Sequence, residues 1–341
     1  MRAPDYWAEG RWGLPTLLSP VAALYDAAGR MRRAMVTPLY VGVPVFCVGN
    51  IVAGGGGKTP TAMAIAQRLH RRNCNVHFLT RGYGGRESGP TLVSVAIHTA
   101  EDVGDEALLL AHVSATWVAR DRRAGARAAI AAGADVIVMD DGFQNPSLHK
   151  DICLIAVDAG MRFGNGHVIP AGPLRETVAR GLTRADAVLS IADPLRGQKD
   201  TPAKMNGVPV LTGSLEAGPE ALRLNGERVF AFAGIARPQK FFDSLRGLGV
   251  DVIAEHAFAD HHRYRGDEIM TLVEQAATLE AILVTTEKDF VRLPAEAQSM
   301  VETLPVSLQF DDDAAIDQLL DRLLESKPPT SVPATSVPSD G

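Results

Sequence analysis

Apolar positions along the chain gather in short blocks. Val45-Phe46-Cys47-Val48, Val76-His77-Phe78-Leu79, Val136-Ile137-Val138-Met139, Ile152-Cys153-Leu154-Ile155-Ala156-Val157 and Ala187-Val188-Leu189-Ser190-Ile191 each run directly into polar or glycine-containing sequence. Apolar runs of four to eight residues bounded by turn formers predict buried strands. Helical stretches lie between them, with Ala62, Ile65, Ala66 and Leu69 at helical spacing and an alanine-rich segment from Arg120 to Ala132. Repeated strand-helix alternation predicts an α/β fold, a mostly parallel sheet with helices on both faces.

Between about Leu215 and Glu227 the pattern lapses into polar, turn-rich sequence containing Gly218-Pro219 and Asn225-Gly226. Asn-Gly between Leu224 and Val229 suggests a hairpin turn. Beyond it, the strand Val229-Phe230-Ala231-Phe232, a helix through Phe241, Phe242 and Leu245, a strand at 250–253, a helix over 269–277 and a strand over 282–286 predict a smaller α/β lobe. The expected organisation is an N-terminal segment over 1–40, a larger domain over 41–218, a linker over 219–228, the smaller lobe over 229–326 and a tail over 327–341. The tail is built of Pro, Ser, Thr, Val and Ala without periodicity and reads as disordered.

The N-terminal segment has its own character. Trp7 and Trp12 are followed by Leu14, Leu17, Leu18, Val21, Leu24 and Tyr25, and then by Arg30, Arg32 and Arg33. Ser19 as N-cap with Pro20 at the first position predicts a helix whose apolar face holds Val21, Leu24 and Ala28. The pattern fits a helix packed on the domain, and equally an interfacial anchor with aromatics at headgroup level and arginines for anionic lipid.

Composition narrows the class. The 341 residues carry 34 basic and 40 acidic side chains, a formal charge of -6, which argues against a nucleic-acid partner. No stretch of eighteen apolar residues is free of charge, so a membrane-spanning helix is not expected. Cys47, Cys74 and Cys153 show no metal spacing and sit in or beside apolar runs, as buried small hydrophobes do. With no secretory signal visible, a reducing compartment is expected.

The chemistry concentrates at strand ends. The first strand runs into Gly49-Asn50-Ile51-Val52-Ala53-Gly54-Gly55-Gly56-Gly57-Lys58-Thr59-Pro60-Thr61 and then a helix. Strand, glycine loop, Lys-Thr and helix are the context of a P-loop, although Val52 stands where the strict pattern has glycine. Successive backbone N–H groups can cradle a polyphosphate, Lys58 can reach its terminal phosphates and the Thr59 hydroxyl can ligate magnesium. Asp140-Asp141 closes another apolar run and can hold that magnesium at the sheet's carboxyl edge; the alternative is a solvated turn. Gly104-Asp105-Glu106 opens a helix, where carboxylates also serve as caps. The loop from Phe163 to Glu176 presents Asn165, Arg175 and Glu176, either for phosphate and magnesium or as a local ion pair. Asp260-His261-His262 is a poor metal set and a reasonable positioned base.

Several of these segments together resemble one family, the tetraacyldisaccharide 4'-kinases of lipid A synthesis. They are Gly49-Asn50 with Gly54 to Pro60, Arg81-Gly82-Tyr83-Gly84, Gly104-Asp105-Glu106, Asp140-Asp141-Gly142-Phe143-Gln144, Phe163-Gly164-Asn165-Gly166, Pro170 to Glu176, Gly234-Ile235-Ala236-Arg237-Pro238, Asp260-His261-His262 and Thr285-Thr286-Glu287-Lys288-Asp289. Asn145 departs from the family, which has histidine there, and four glycines replace a Ser or Thr before the last glycine. The resemblance implies a P-loop NTPase-like enzyme of two lobes that close on nucleotide. It would act at the cytoplasmic face of the inner membrane, transferring phosphate from ATP, with Mg2+, to the 4'-hydroxyl of a lipid A precursor glycolipid. It also implies an acid-base pair of Asp105 and His261, with His262 the neighbouring alternative. Nucleotide would lie on Val52, Ala53, Gly54, Gly55, Gly56, Gly57, Lys58, Thr59 and Pro60, and metal on Thr59, Asp140, Asp141 and Glu176. Candidate substrate contacts are Asn50, Arg81, Gln144, Asn165 and Arg175. The N-terminal helix would then be the membrane contact of a monomer. A partner-activated P-loop ATPase or GTPase is the competing reading, since the glycine loop alone serves many functions.

Overall fold

The computed structural model describes residues 4–7, 13–192 and 202–326. The predicted disordered tail and Trp12 lie outside them. Helices and strands follow in the order α1 (Leu14–Ala34), β1 (Val45–Gly49), α2 (Lys58–Arg71), β2 (Val76–Thr80), β3 (Thr91–Leu92), α3 (Ala100–Val103), α4 (Asp105–Ala111), β4 (Thr116–Val118) and α5 (Arg122–Ala131). Next come β5 (Val136–Asp140), β6 (Ile152–Asp158), α6 (Val178–Leu182), β7 (Ala187–Ala192), β8 (Lys204–Met205) and β9 (Val208–Ala217). The rest is β10 (Arg228–Ala233), α7 (Pro238–Gly247), β11 (Asp251–Ala257), α8 (Gly266–Thr278), β12 (Ile282–Thr286), α9 (Glu287–Phe290), α10 (Ala295–Gln298), β13 (Glu302–Leu304), β14 (Val306–Phe310) and α11 (Asp313–Glu325).

The larger sheet has the order β14-β9-β7-β6-β1-β5-β2-β4-β3 and is mainly parallel, with antiparallel pairs only at its margins. Its central strands are buried on both faces, because alternate side chains enter different cores. Phe46 and Val48 of β1 join Val136 and Val138 of β5 on the side covered by α2, while Val45, Cys47, Ile137 and Met139 face the side covered by α5 and α6. The smaller sheet, β11-β10-β12-β13, is parallel and carries its own apolar clusters around Phe242, Leu245 and Phe232.

Three local expectations change. The segment 306–326 does not belong to the smaller lobe: β14 pairs antiparallel with β9, and Leu308, Phe310, Ile316, Leu320 and Leu323 enter the larger domain's core beside α2. The supposed linker carries a 3-10 turn, Pro219–Leu224, whose Ala221 and Leu224 pack into the smaller lobe. Asn225-Gly226 makes no hairpin, since β10 pairs in parallel with β11 and β12. It caps the lobe's rim instead, through a bond from Asn225 to the Leu248 carbonyl.

The first helix begins earlier than Ser19. Gly13 precedes it, Pro15 fills the first turn and Pro20 lies inside. Proline lacks the N–H that would bond the carbonyl four residues back. Here the Ser19 hydroxyl donates to that carbonyl, Thr16 O, at 2.7 Å. Ala22 is buried and Asp26 pairs with Arg180, but the predicted apolar face points outward, with Leu17 and Leu24 both more than 70% exposed. Leu14, Val21, Met31 and Met35 extend that uncovered stripe. Among the described residues, no helix is long and apolar enough to cross a membrane.

Because α11 closes the larger core, Leu320→Ala is expected to cost about 2–5 kcal/mol of stability. Urea unfolding read through Trp117, in the larger sheet, checks it; an unchanged midpoint would mean that α11 is not part of that cooperative unit.

Candidate active site

The glycine loop is shaped by backbone requirements. Gly57, the N-cap of α2, has φ 73°, a left-handed conformation, and a Cβ there would collide with Ile191. Gly56 leaves room for the Asn50 amide, which a Cβ would meet at 2.3 Å. The Asn50 Oδ1 accepts from the Val52 N–H at 2.8 Å, so this side chain braces the loop. Val52 bridges to Leu174, and the Ala53 N–H donates to the Pro173 carbonyl at 2.7 Å. Gly54 and Gly55 face open space. Lys58 folds back over its own loop, with Nζ 3.4 Å from the Gly54 carbonyl and 4.0 Å from Asp141. Pro60 sits in the first turn of α2, where a missing N–H costs no helical bond.

The paired aspartates have opposite surroundings. Thr59 Oγ1 donates to Asp140 Oδ2 at 2.8 Å, while Asp140 Oδ1 is buried without a hydrogen-bond partner. Burial above all, and then the charge of Glu106, push the Asp140 carboxyl up to about 7. Asp141, at φ 53°, receives two bonds from Arg175, at 2.8 and 3.2 Å. Burial opposes its ionisation, yet Lys58 and Arg175 together hold it below the ordinary carboxylate range.

Glu176 is not brought to this pair. It is buried and faces the Arg184 guanidinium, with Arg33 of α1 at 3.5 Å and the Gln144 amide also at 3.5 Å. Its charge is therefore answered by arginines, with Arg184 and Arg33 both against the carboxylate. No group of three or more His, Cys, Asp or Glu side chains forms a metal cluster among the described residues. Gln144 also donates to the Asn50 carbonyl at 2.8 Å and accepts from Arg175 at 3.1 Å, tying the two loops together. Asn165 is a structural staple whose amide donates to the carbonyls of Tyr6 and Ala171, both at 3.0 Å. Arg81 is exposed just beyond β2. Its charge, after burial itself, helps push the neighbouring Arg122 down to about 10.

Across from the glycine loop the two lobes meet. Asp105 opens α4 and is nearly inaccessible to water. His261 Nδ1 lies 3.1 Å from its Oδ2, Arg292 Nε 3.6 Å and Lys288 Nζ 3.9 Å, and all three come from the smaller lobe. Burial opposes ionisation of Asp105, but the His261 hydrogen bond and the nearby cations prevail and hold its carboxyl low. Lys288 also pairs with Glu106 at 3.3 Å; burial works against its charge, and the two carboxylates keep its pKa above the ordinary value. His262 is occupied otherwise, stacked on Phe258 and bonded to Glu268 at 3.2 Å. His261, and not its neighbour, is the histidine that meets Asp105.

Sequence reasoning missed Lys288, Arg292, Arg122 and Tyr83, whose ring lies edge-on to His261 at 6.0 Å. Lys288 was visible within Glu287-Lys288-Asp289 at a strand end, without a role attached. Arg292 had no local signal, since it is placed by its bonds to Gly234 and Asp289.

Comparison with known proteins identifies the family. The family model described as LpxK, Tetraacyldisaccharide-1-P 4'-kinase, matches residues 14–325. A tetraacyldisaccharide 4'-kinase of Rhodospirillum centenum is 50% identical over 332 residues, covering 96% of this chain and 98% of its own. That of Jannaschia sp. is 51% identical over 327 residues, covering 95% and 99%. The crystal structure of "apo" form LpxK from Aquifex aeolicus in complex with ATP superposes with a TM-score of 0.74 at 25% identity, covering 92% of this chain and all of that one. A family match across both lobes, joined to relatives of about half-identical sequence over nearly their whole length, means that the chain belongs to the tetraacyldisaccharide 4'-kinase family.

Proposed function

We propose that this 4'-kinase takes ATP as its donor and uses Asp105, held by His261, as the base that receives the acceptor's proton. The acceptor is the 4'-hydroxyl of a tetraacyldisaccharide 1-phosphate, a lipid A precursor. The observation that carries the assignment is the Asp105–His261 contact made between the lobes, with the adjoining Glu106 close enough to Asp140 to raise its pKa. An anionic carboxylate fixed by an imidazole can orient a hydroxyl and take its proton as phosphoryl transfer proceeds. ATP as donor is supported by the ATP complex of the Aquifex aeolicus relative and by the open backbone at Gly54 and Gly55. Lys58 would leave the Gly54 carbonyl to pair with the nucleotide's phosphates. Completing the site by lobe contact also keeps water from the phosphoryl group.

Magnesium fits the residues present. A buried carboxylate oxygen without a partner beside a threonine hydroxyl is a hard oxygen site, and Asp140 and Thr59 would hold the ion. Bound there, it supplies charge neutralisation to the transferring phosphoryl group. Asp141 and Arg175 frame this site as a preformed ion pair; Glu176 supports the frame through Gln144.

The uncovered stripe on α1 is assigned to the inner-membrane surface, on its cytoplasmic face. Moving acyl chains out of a bilayer costs about 0.8 kcal/mol per CH2. An enzyme that docks beside its glycolipid avoids that cost. Leu17, Val21 and Leu24 would enter the interface, with Arg30 and Arg32 nearby for anionic headgroups.

Transfer of labelled γ-phosphate from ATP to detergent-dispersed tetraacyldisaccharide 1-phosphate, with and without magnesium, tests the reaction; hydrolysis without labelled lipid would favour the partner-activated NTPase. Asp105→Asn should lower kcat by about 10²–10⁴-fold, and unimpaired turnover would remove Asp105 as base. Leu17→Glu with Leu24→Glu should abolish vesicle binding and depress activity on bilayer substrate while sparing activity in detergent; equal losses would leave α1 a purely structural role. Without metal, the raised Asp140 pKa favours the folded state at low pH, so its contribution is lost as pH rises from about 4 through about 7. Asp140→Asn should remove that part of the slope in urea unfolding with chelator present.

A further inference from the structure

Helix α1 has two opposite faces. Its uncovered stripe runs through Leu17, Val21, Leu24 and Met31 at helical spacing. The other face carries Asp26, Arg30 and Arg33, also at helical spacing, and meets the end of α6. A helix with its side chains is about 10–12 Å across. An interfacial helix buries its apolar face about 5–10 Å into the boundary between headgroups and acyl chains. With the stripe sunk to that depth, the opposite face of α1 lies at the level of the lipid phosphates.

Four guanidiniums meet two carboxylates on that face. Arg180 Nη1 donates to Asp26 Oδ1 at 2.5 Å, and Arg30 Nε lies 3.8 Å from the same carboxylate. Arg184 Nη2 donates to Glu176 at 2.5 Å, and Arg33 Nη2 stands 3.5 Å from it. Two positive charges remain, on a chain whose formal total is -6. Burial first, and the charges of Arg184 and Arg180 after it, lower the Arg33 pKa in spite of Glu176. Hydrogen-bond donors are in excess as well, since a guanidinium has five N–H groups. Arg33 Nη2 and Arg184 Nε have no hydrogen-bond partner. The layering is ordered: Glu176 and Asp26 are only 1% and 12% exposed, whereas Arg180, Arg184 and Arg30 are 32%, 33% and 56% exposed. Anions lie beneath and cations face outward. Arg184 is further fixed over the Phe143 ring, 4.4 Å from its centroid.

We propose that Arg180, Arg184 and Arg30 form a headgroup site that binds the phosphate of an anionic bilayer lipid beside α1, with Asp26 and Glu176 orienting them from beneath. The inference rests on the docking of α1 at the membrane and adds a specific phosphate contact to it. The planar fork of arginine bonds two phosphate oxygens at once, and its weak hydration suits a partly buried site. An anionic lipid offers its phosphate without a competing cation, whereas a zwitterionic one carries its own. The apolar stripe alone sets the depth of α1. A phosphate held on the α6 side also sets the roll of the protein about the helix axis.

Binding of the full chain to phosphatidylcholine vesicles, with and without phosphatidylglycerol at fixed salt, separates a site from general attraction. The double variant Asp26→Asn with Arg180→Gln keeps the net charge of the unaltered protein. It should nonetheless weaken binding to phosphatidylglycerol vesicles by about tenfold, the scale of one charge-assisted hydrogen bond. Arg32→Gln, which removes a charge outside the cluster, should cost about fivefold. Unaltered binding by the double variant would overturn the proposal and leave attraction by net charge alone. Arg184→Lys keeps the charge and loses the planar fork, so it carries the test if the double variant does not fold; binding equal to that of the unaltered protein would again overturn the site. Equal binding of the unaltered protein to both vesicle types would refute the headgroup site while leaving the stripe its membrane role. Binding to neither would refute the membrane reading of α1 itself. A raised glycolipid KM for the double variant in phospholipid-free detergent would assign the arginines to the acceptor's own phosphate, and that too would refute the proposal.

Discussion

A carboxylate shielded from water remains an anion only where cations or hydrogen-bond donors reach it, and Asp105 draws its cations from the other lobe. His261, Lys288 and Arg292 converge on it from three points of the smaller lobe, and all three positions trace back to the cluster around Asp289 and Gly234. Asp289 is fully buried and accepts from the Gly234 N–H, Tyr264, Thr286 and Arg292. Burial and the Asp289 charge push the Tyr264 hydroxyl far up, so it stays a donor. The smaller lobe thus carries the imidazole and the cations that hold the buried Asp105 carboxyl below its ordinary range. Separating the lobes would take the imidazole and both cations from Asp105 at once. In the proposed mechanism, the imidazole therefore holds the base in position only in the closed arrangement.

What the sequence revealed and what it concealed follow from the range of the interactions. The β1–glycine loop–α2 unit was legible because its signals are local: an apolar run, glycines that leave room for Asn50 and Ile191, then helical spacing. Strand β14 was misassigned because its partner, β9, lies about ninety residues earlier and nothing in Val306–Phe310 records which sheet receives it. The sequence places the start of α1 six residues late because Ser-Pro resembles a helix start, whereas here the serine hydroxyl replaces the donor that proline lacks. Among the candidate site residues, the positions of Lys58, Thr59, Asp140 and Asp141 follow from the loop and the strand ends that carry them. The direction of Glu176 depends on Arg33 and Arg184, which no spacing links to it.

The neighbouring aspartates show how one dipeptide can hold two different groups. Successive residues at a strand end point in different directions, and the positive φ of Asp141 turns its side chain toward Arg175 and Lys58. That carboxylate is saturated with charge and stays ionised. Asp140 remains buried with one oxygen bonded to Thr59 and the other bonded to nothing. A group with a pKa near 7 pays for its charge until a cation arrives, so ion binding and proton release are coupled at this position. The proposed division follows from that difference: Asp141 fixes the frame that includes Arg175, Gln144 and Asn50, and Asp140 provides the vacant oxygen. Interchanging the two roles would require breaking the bidentate Arg175 pair and leaving its guanidinium uncompensated, a larger loss than the single Thr59 bond.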